Sequence, residues 1–560
     1  MLLGFYKNVN RHFSMRQLPF IVVLAAVILV GCGGGSGGVG DPAPPNPGTG
    51  GGTGGDGTGG NPSVVFPKVI SASPQGDTPA AVDTPIDITF NKPMMLSSFQ
   101  APMEGLDVGY DPACVDTDCV TVRLNHKTNL AYNSTYQVKL LPQVRDKEGN
   151  LLTDPYPWSF KTAVFAPPPS FKSGIMLDGG TVATDSGECT AIAVDSAGTL
   201  HIAYFSDSAG APKHAYCSKD CDKPGSWNNE VIDTTAKLTD QKFGRDINLA
   251  IEGTTLHVSY RDVGTTSTGN KADDRGVLKY AKGVAKADGS VGTWAPVIVD
   301  DTPFGVTDTY IAVDKGRVHI SYAKKGDPKA TGQTSLDIFT YATCSASCDS
   351  KNSGDIEKVE IDQGKGAGSP NHIVIANDTI HMSYYLNGTL KYVTCSVSQA
   401  QNCSQLSGAA AAVVDDGEGK FDVGTENSLS IFGNTVHMTY RDNTNGLLKY
   451  ARCDGNCTDS NNWTKIAIDN AGGSTQIVAV PGRLHVSYRD DLNKDLKYAT
   501  CSSSSSNCLD PKSWSLFTLD APGEVGLDTY IAVDGAGAVH ISYRDASNKA
   551  LKYIVGAPTQ

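Results

Sequence analysis

Apolar and polar residues alternate along most of the chain after residue 65. In the segment Ile86-Asp87-Ile88-Thr89-Phe90, for example, apolar side chains occupy every second position, and turn-forming residues flank the run. A period of two is typical of a β-strand with one buried face and one solvent-facing side. The pattern predicts an all-β protein.

From residue 172 to residue 556 this pattern recurs seven times, with a period of roughly 50–60 residues, as in propellers and solenoids. Each copy has an apolar first strand, a second strand opened by a histidine, a third strand resembling Leu-Lys-Tyr-Ala, and a fourth ending in Asp. The histidines are His201, His257, His319, His381, His437, His485 and His540. The third-strand positions are Lys213, Lys279, Thr340, Lys391, Lys449, Lys497 and Lys552, and the Asp residues are Asp233, Asp300, Asp362, Asp415, Asp469 and Asp520.

The last copy ends near Tyr553 without a fourth strand, whereas residues 175–178 at the start look like a fourth strand without its copy. A ring closed by its own first strand accounts for both observations and leaves no exposed sheet edge. A linear solenoid would instead need capping repeats. We therefore predict a seven-bladed β-propeller over residues 172–556, closed by its N-terminal strand.

The copies, such as IAVDGAGAVHISYRDASNKALKYI at 531–554, resemble the sialidase-like (BNR-type) propeller repeats of bacterial surface proteins. The resemblance implies the propeller fold. The strict Asp-box motif of that family, Ser-x-Asp-x-Gly-x-x-Trp, does not occur, and the segments 453–463 and 508–514 match it only loosely. The departure weakens what the resemblance implies about activity.

Residues 65–164 contain segments that resemble an S-layer-type (SbsA-like) bacterial Ig-like domain, for example SPQGDTPAAVDTPIDITFNKPM at 73–94 and WSFKTA at 158–163. The resemblance implies an Ig-like β-sandwich that serves as a spacer or an adhesive module. A proline-rich joint at 165–171 connects it to the repeats.

The N-terminus resembles a bacterial lipoprotein signal peptide. Positive residues precede an apolar stretch at 18–30, which is short for a membrane span and ends in Gly31-Cys32. The resemblance implies a signal peptide at 1–31 and lipidation of Cys32, which would anchor the protein to a membrane. Because Gly33 rather than Asp follows Cys32, it implies the outer membrane or cell surface of the envelope. Residues 32–64 are a Gly-rich flexible linker.

Twelve further cysteines fall into close pairs, which predict disulfides in an oxidising compartment. The pairs are Cys114 with Cys119, Cys217 with Cys221, Cys344 with Cys348, Cys395 with Cys403, Cys453 with Cys457, and Cys501 with Cys508. The sequence has no Cys-x-x-Cys motif, so these pairs do not indicate a metal or haem site. Cys189 is left over. We expect it to be a buried free thiol at the entrance of the first inner strand, and a reactive nucleophile is the alternative.

The seven histidines form a tempting candidate metal ring, but their position in the second strand argues against one. The second strand lies ~4.8 Å outside the innermost strand, so histidines of neighbouring blades should be roughly 10 Å apart. Zinc ligands lie ~2 Å from the metal, so histidines this far apart could not share one ion. We expect each histidine to be buried and hydrogen-bonded to the adjacent blade.

One face of the repeats combines acidic residues and arginines. Alignment places seven residues at the entrance of the first strands: Cys189, Asp246, Asp308, Pro370, Glu426, Ser474 and Asp528. Four arginines follow the second strands: Arg261, Arg441, Arg489 and Arg544. The pairs 246/261, 426/441 and 528/544 could be salt bridges within a blade. Alternatively, the eight charged residues form a ligand face for sugars or a cation.

The net charge is −13, from 46 basic and 59 acidic residues, and there is no basic run, so nucleic acid is not an expected partner. No acid/base pair breaks the repeat symmetry as catalytic residues should, and no cofactor is predicted, although a structural Ca²⁺ stays open.

The sequence favours a lipid-anchored, surface-exposed binding or adhesion protein whose propeller binds glycan, protein or matrix. The alternatives are a sialidase-like enzyme acting on polysaccharide and a structural platform of the envelope.

Overall fold

A computed structural model describes residues 65–557 except for short gaps at 107, 169, 182–183, 236–245, 263–275, 303, 327–335, 346–347, 349–354, 399–402, 404–410, 420–421 and 503–505. The predicted signal peptide, the lipidation site Cys32 and the Gly-rich linker lie outside these residues. Within the described part, no helix is both long and apolar enough to cross a membrane.

The first 100 described residues form a sandwich of two four-stranded sheets, named here the N-terminal sandwich. One sheet has the order β1-β3-β6-β5 and the other β2-β8-β7-β4. The apolar residues of β3 point inward and alternate with partly exposed ones, as the period of two predicts. The strands are β1 Val69–Ser73, β2 Gly76–Ala80, β3 Ile86–Phe90, β4 Met103–Glu104, β5 Tyr110–Cys114, β6 Thr121–His126, β7 Thr135–Leu140 and β8 Tyr156–Thr162.

The strands of the remaining described residues form seven antiparallel sheets of four strands, numbered here in chain order. Sheet 1 contains β10 Ser186–Val194, β11 Leu200–Ser206, β12 Ala211–Cys217 and β13 Asn228–Val231. Sheet 2 contains β14 Ile247–Glu252, β15 Thr255–Asp262, β16 Val277–Val284 and β17 Ala295–Asp300. Sheet 3 contains β18 Val306–Asp314, β19 Arg317–Lys324, β20 Asp337–Cys344 and β21 Ile356–Gly364.

The later sheets repeat this order. Sheet 4 contains β22 Asn371–Ala376, β23 Thr379–Leu386, β24 Thr389–Ser396 and β25 Ala412–Asp415. Sheet 5 contains β26 Val423–Phe432, β27 Thr435–Asp442, β28 Leu447–Cys453 and β29 Thr464–Asp469. Sheet 6 contains β30 Gly473–Val480, β31 Arg483–Asp490, β32 Asp495–Ser502 and β33 Ser515–Asp520. Sheet 7 combines β34 Val525–Val533, β35 Val539–Asp545 and β36 Ala550–Gly556 with β9 Ile175–Gly179.

The helical elements of the described residues are short 3₁₀ turns, so the predicted all-β class is confirmed. The turns are Leu96–Phe99, Pro224–Ser226, Gly417–Gly419, Ser460–Asn462, Ser506–Leu509 and Pro511–Ser513.

The first strand of each sheet contacts the first strand of the next sheet, and β10 of sheet 1 also contacts β34 of sheet 7. Apolar side chains fill the space between neighbouring sheets. One such core joins Ile192 and Leu200 of sheet 1 to Leu551 and Tyr553 of sheet 7, with Ile175 of β9 packed against it. Burial of these side chains is the main force that holds the sheets together.

Neighbouring sheets are also joined by a repeated polar contact, named here the Tyr–Asp–Lys cluster. An Asp at or near the end of the outermost strand of one sheet accepts a hydrogen bond from a Tyr of the second strand of the next sheet, at 2.5–2.9 Å. In six of the seven clusters a third-strand Lys contacts the same Asp. In the remaining one Thr340 replaces that Lys, and Lys358 contacts Asp300 at 3.2 Å instead. The Lys and Asp markers of the repeat are therefore parts of one contact.

Six of the seven repeated histidines are buried and His381 is partly buried, but the expected hydrogen-bond partner was wrong. Six of them lie 2.5–2.8 Å from a tyrosine hydroxyl on the third strand of their own sheet rather than of the adjacent one, for example His437 Nδ1 and Tyr450. The seventh, His201, contacts His214 at 2.9 Å. Burial lowers the pKa of His437 to about 4, so the ring is neutral at pH 7. The histidines belong to the framework.

The structure contains six disulfides, and they join the six pairs that the spacing suggested. The five in the repeats connect the end of the third strand to the segment before the fourth strand. Within the described residues, Cys189 is the one free cysteine.

Candidate ligand-binding site

The entrance of the first strands has an unusual backbone conformation. Five of the seven aligned residues have a positive φ of 44–53°, although none is glycine: Cys189, Asp308, Glu426, Ser474 and Asp528. Each lies where the pairing of the first and second strands shifts in register, which marks a β-bulge. In sheet 3, for example, the shift falls between Thr307 and Tyr310 and includes Asp308. This conformation costs about 1–2 kcal/mol per non-glycine residue and persists where the surrounding structure imposes it. The bulges reorient the side chains of this position.

All seven aligned residues line one cavity of about 130 Å³. Because one residue comes from each sheet, the cavity lies where the first strands meet. This volume is well above the minimum of about 10–15 Å³ that one water molecule needs, so the cavity has room for several waters or for a small polar ligand. Four of the lining residues are acidic, and we name Asp246, Asp308, Glu426 and Asp528 the carboxylate ring.

Hydrogen bonds to the neighbouring sheets fix the carboxylate ring. Asp528 Oδ2 accepts from the backbone N–H of Cys189 at 3.0 Å, and Asp246 Oδ2 accepts from that of Asp308 at 2.8 Å. The Ser369 hydroxyl donates to Asp308 Oδ2. In each of these three Asp residues the second carboxylate oxygen has no hydrogen-bond partner within the described chain. One oxygen therefore holds the side chain in place, and the other is available to a ligand.

Three of the four predicted arginines pair with carboxylates outside the ring. Arg544 lies 2.9 Å from Asp185 and 3.1 Å from Glu188. Arg489 and Arg441 both contact Asp491, the former at 2.8 Å. The expected salt bridges 528/544 and 426/441 are therefore not formed, because closer acidic partners are present. The four arginines are not among the residues that line the cavity in the described structure.

Burial, aided at Asp246 and Glu426 by neighbouring carboxylates, raises the pKa of three members of the ring. Desolvation by the surrounding protein, then the charge of Asp308, raises the pKa of Asp246 to about 7. Desolvation, then the charges of Asp528 and Asp308, raises the pKa of Glu426 to about 7 as well. Desolvation also raises the pKa of Asp528. Glu426 is open to solvent within the cavity and Asp246 is half-buried, so water in the cavity moderates these shifts. Near neutral pH Asp246 and Glu426 are therefore partly protonated.

A layer of buried threonines lies directly below the ring. Thr190 hydrogen-bonds to Ser542 at 2.7 Å, and Thr475 to Thr439 at 3.0 Å, in each case on the second strand of the preceding sheet. The equivalent hydroxyls of Thr309 and Thr529, which are 3 % and 2 % exposed, have no partner in the described structure.

Four residues of the layer below form the floor of the cavity. Asn248 Nδ2 donates to the Tyr530 hydroxyl at 3.3 Å, and Gln476 Nε2 donates to the Tyr310 hydroxyl at 3.0 Å. Both bonds cross between sheets that are not consecutive. Burial raises the pKa of Tyr310 and Tyr530, so their hydroxyls stay protonated. The floor is therefore a fixed polar surface with hydroxyl protons that have no acceptor within the described chain.

Cys189 lies at the edge of the cavity but lacks the surroundings of a reactive thiol. Burial, followed by the negative charge of Asp528, raises the pKa of its thiol well above the ordinary value. The described residues contain no group of three or more His, Cys, Asp or Glu side chains arranged to bind a metal ion.

The alignment of repeats thus identified the acidic residues that the structure brings together in one cavity. It missed the threonine layer and the floor residues Asn248, Tyr310, Gln476 and Tyr530. A signal was available, because these residues follow one or two positions after the aligned entrance, where an inner strand would otherwise be apolar.

Residues 64–162 match the family model of the bacterial Ig-like domain, so the N-terminal sandwich is a bacterial Ig-like domain, as predicted at that level. A comparison with curated proteins gives no match.

Several solved structures are similar to the chain at low identity. The Hadza microbial sialidase Hz136 is 9 % identical with a TM-score of 0.38, over 78 % of this chain and 76 % of that chain. A mutant of Trypanosoma rangeli sialidase displaying trans-sialidase activity is 9 % identical with a TM-score of 0.35, and the match spans 70 % of this chain and 58 % of that one. A thermostable family-43 glycoside hydrolase is 12 % identical with a TM-score of 0.31, over 71 % and 98 %. Similarity at this level carries no inference about activity.

Proposed function

We propose that this chain is a lipid-anchored binding protein of the cell envelope, in which a seven-bladed propeller binds one sugar residue of a glycan in its axial cavity. The observation that carries the proposal is the cavity itself. Equivalent positions of seven sheets converge on it, and four of the residues that line it carry a carboxylate.

Three contacts support closure of the ring by the first strand. β9 pairs with β36 in an antiparallel register from Ala550/Gly179 to Tyr553/Ile175. Asp178 of β9 accepts a hydrogen bond from Tyr204 of sheet 1 at 2.7 Å, as the equivalent Asp does between the other neighbouring sheets. The innermost strands of sheets 1 and 7 also touch. These contacts support a ring of seven blades.

The chemistry of the cavity supports a sugar as the ligand. Sugar hydroxyls both donate and accept hydrogen bonds. The second carboxylate oxygens of Asp246, Asp308 and Asp528 can accept, and the hydroxyls of the floor residues Tyr310 and Tyr530 can donate. A concave site with a few converging polar groups on a fixed frame is the usual form of a small-ligand site. The volume suits one ring rather than a long chain in the cavity.

The anchor rests on the N-terminal sequence. Acyl chains on Cys32 would hold the protein to the membrane, and residues 33–64 together with the Ig-like domain would extend the cavity away from it. Palmitate labelling of the wild-type chain, lost in Cys32→Ala, is the expected result. Unchanged labelling of the variant would remove the anchor from the proposal.

Glycan arrays probed with the full chain in detergent test the binding function. We expect binding to a subset of glycans, lost in Asp308→Asn and retained in Asp118→Asn. Asparagine suits the first variant because it tolerates a positive φ and still accepts the Ser369 hydrogen bond. Asp118 is an exposed carboxylate of the Ig-like domain, so the control removes the same charge. Absence of binding to every glycan, with capture of one envelope protein instead, would contradict a sugar-binding function.

A further inference from the structure

A cleft distinct from the axial cavity lies between the Ig-like domain and the repeats, and we name it the interdomain cleft. Its volume of about 640 Å³ is within the usual range of small-ligand sites, and none of its lining residues lines the axial cavity. It is bounded on one side by residues of the segments 129–133 and 164–165, and on the other by residues of the segments 493–495 and 521–523. The backbone N–H of Asn129 donates to Asn493 Oδ1 at 2.6 Å, so the two sides are also in direct contact.

Asp495, at the start of β32, breaks the pattern of the repeat in this cleft. It lies two positions before the Lys marker of the third strand, where the other sheets carry an apolar residue or, in sheet 4, a threonine. The equivalent residues are Ala211, Val277, Ile338, Thr389, Leu447 and Ala550. The repeated framework therefore does not require a carboxyl group at this position.

The carboxyl group of Asp495 is almost fully buried and lacks a partner. The residue is 4 % exposed, and neither carboxyl oxygen has a hydrogen bond or an ion pair within the described chain. These oxygens are not among the polar atoms that the protein encloses completely, so the surface they keep opens onto the cleft that Asp495 lines. A buried polar group without a hydrogen bond is destabilising, and a ligand in the cleft would supply the missing partner.

The charge state of Asp495 indicates what kind of ligand suits it. The charged groups that act on it are Asp490, Lys497 and Asp520. Burial, followed by the negative charge of Asp490, raises the pKa of Asp495 to about 8. Near pH 7 the group is therefore mainly a neutral carboxylic acid, which both donates and accepts hydrogen bonds. An uncharged ligand with groups of the same kind is its natural complement.

Aromatic and amide side chains form the opposite wall of the cleft. The rings of Tyr132 and Phe165 meet edge to face with their centroids 5.2 Å apart. Tyr132 lies close enough to Asp495 that the carboxylate charge, after burial, contributes to raising the pKa of the tyrosine. The side-chain amides of Asn129 and Asn133 line the same space and have no hydrogen-bond partner within the described chain. The cleft therefore combines an apolar surface with several free donors and acceptors.

We propose that the interdomain cleft is a second binding site, which takes a neutral carbohydrate whose hydroxyl groups bond the carboxyl group of Asp495 and whose ring packs against Tyr132. A sugar ring carries hydroxyls that donate and accept around its edge and carbon-bound hydrogens on its faces. This distribution matches free amide and carboxyl groups beside an aromatic wall. The inference rests on the proposed glycan-binding function for the class of ligand, and on residues outside the axial cavity for the site.

The stability of Asp495→Ala separates a ligand-binding role from a structural one. Alanine occupies the equivalent position in sheets 1 and 7, so the strand accepts it. Because the buried carboxyl group has no partner in the protein, we expect the urea midpoint of the variant to equal or exceed that of the wild type. A clearly lower midpoint would show that Asp495 stabilises the fold, and it would contradict the assignment of this group to a ligand.

Binding is measured with the full chain in detergent at pH 7. An array of neutral di- to tetrasaccharides supplies the probes, and isothermal titration calorimetry follows with the tightest of them. We expect Asp495→Ala to weaken binding at least tenfold, and Asp118→Ala, the exposed control, to leave it unchanged. Asn129→Ala should weaken binding at least threefold. This variant also serves if Asp495→Ala does not fold, because the amide that it removes has no partner in the described protein.

The outcomes separate this inference from the proposed function. Weaker binding in Asp495→Ala with unchanged binding in Asp308→Asn would support the interdomain cleft and contradict a sugar in the axial cavity. The reverse pattern would contradict the cleft and leave the proposed function standing. Weaker binding in both variants would support both sites. Binding of charged glycans alone would contradict a neutral ligand in the cleft, and absence of binding to every glycan would contradict both proposals.

Discussion

Replacing Asp178 by alanine tests whether the first strand closes the ring. Asp178 lies on β9, and its carboxylate accepts hydrogen bonds from the Tyr204 hydroxyl at 2.7 Å and from Lys213 Nζ at 2.5 Å. Tyr204 is fully buried, whereas Lys213 is partly exposed. The alanine variant leaves the tyrosine hydroxyl buried without an acceptor and frees the lysine to turn towards water.

The expected loss follows from these two contacts. A buried hydroxyl deprived of a charged acceptor destabilises by about 1.5–3 kcal/mol. Loss of a partly exposed ion pair adds about 0–1 kcal/mol. We expect the free energy of unfolding to fall by about 3 kcal/mol in Asp178→Ala, which is among the larger effects of a single substitution.

Urea denaturation followed by tryptophan fluorescence measures this loss, with two comparison variants. Asp415→Ala removes the equivalent cluster between sheets 4 and 5, where Tyr440 and Lys449 contact the carboxylate, and should cost a similar amount. Asp118→Ala, on the surface of the Ig-like domain, should change stability by less than about 0.5 kcal/mol. If Asp178→Ala behaves like Asp118→Ala while Asp415→Ala is strongly destabilised, the contact between sheets 1 and 7 does not hold the ring and the reasoning is refuted.

Three further predictions concern the framework. Burial lowers the pKa of His437 to about 4 from an unfolded value of about 6.5, so the unfolded state binds more protons between these pH values and stability falls as the pH falls. In urea titrations the unfolding free energy of the wild type should fall by about 2 kcal/mol more than that of His437→Gln between pH 7 and pH 5. An equal fall in the two proteins would contradict this. Replacing Cys453 and Cys457 by serine opens a small loop and should lower the unfolding free energy by about 2 kcal/mol, with no change expected under reducing conditions. The Cys189 thiol should react with a maleimide at pH 7 at least about tenfold more slowly in the folded chain than in denaturant, because burial keeps it protonated; equal rates would indicate a reactive thiol after all.

Much of the fold could be predicted because the repeat imposes the same pattern many times. The alternation of apolar and polar residues with a period of two predicts the strands. The segment from Ile175 was recognisable as a fourth strand because Asp178 occupies the position of the Asp that ends the fourth strand in the other repeats. The contact partner of each histidine could not be predicted. The sequence gives the position of each histidine along its strand. Whether its side chain contacts a tyrosine of its own sheet or of the next sheet depends on side-chain direction and on the twist of the sheet.

Alignment of the repeats identified the acidic residues of the site, but it did not predict which residues form ion pairs there. Sequence spacing suggested that Arg544 pairs with Asp528, and the structure instead brings Asp185 and Glu188 to that arginine from the neighbouring sheet. Contacts between sheets depend on tertiary placement that local pattern does not encode.

An experimental structure of the full chain in complex with the best glycan from the array tests the central claim most directly. The account predicts a ring of seven four-stranded blades completed by Ile175–Gly179, with the ligand in the axial cavity and within hydrogen-bond distance of at least two of Asp246, Asp308, Glu426 and Asp528. A ligand bound elsewhere with the cavity empty, or a ring left open between sheets 1 and 7, would contradict it.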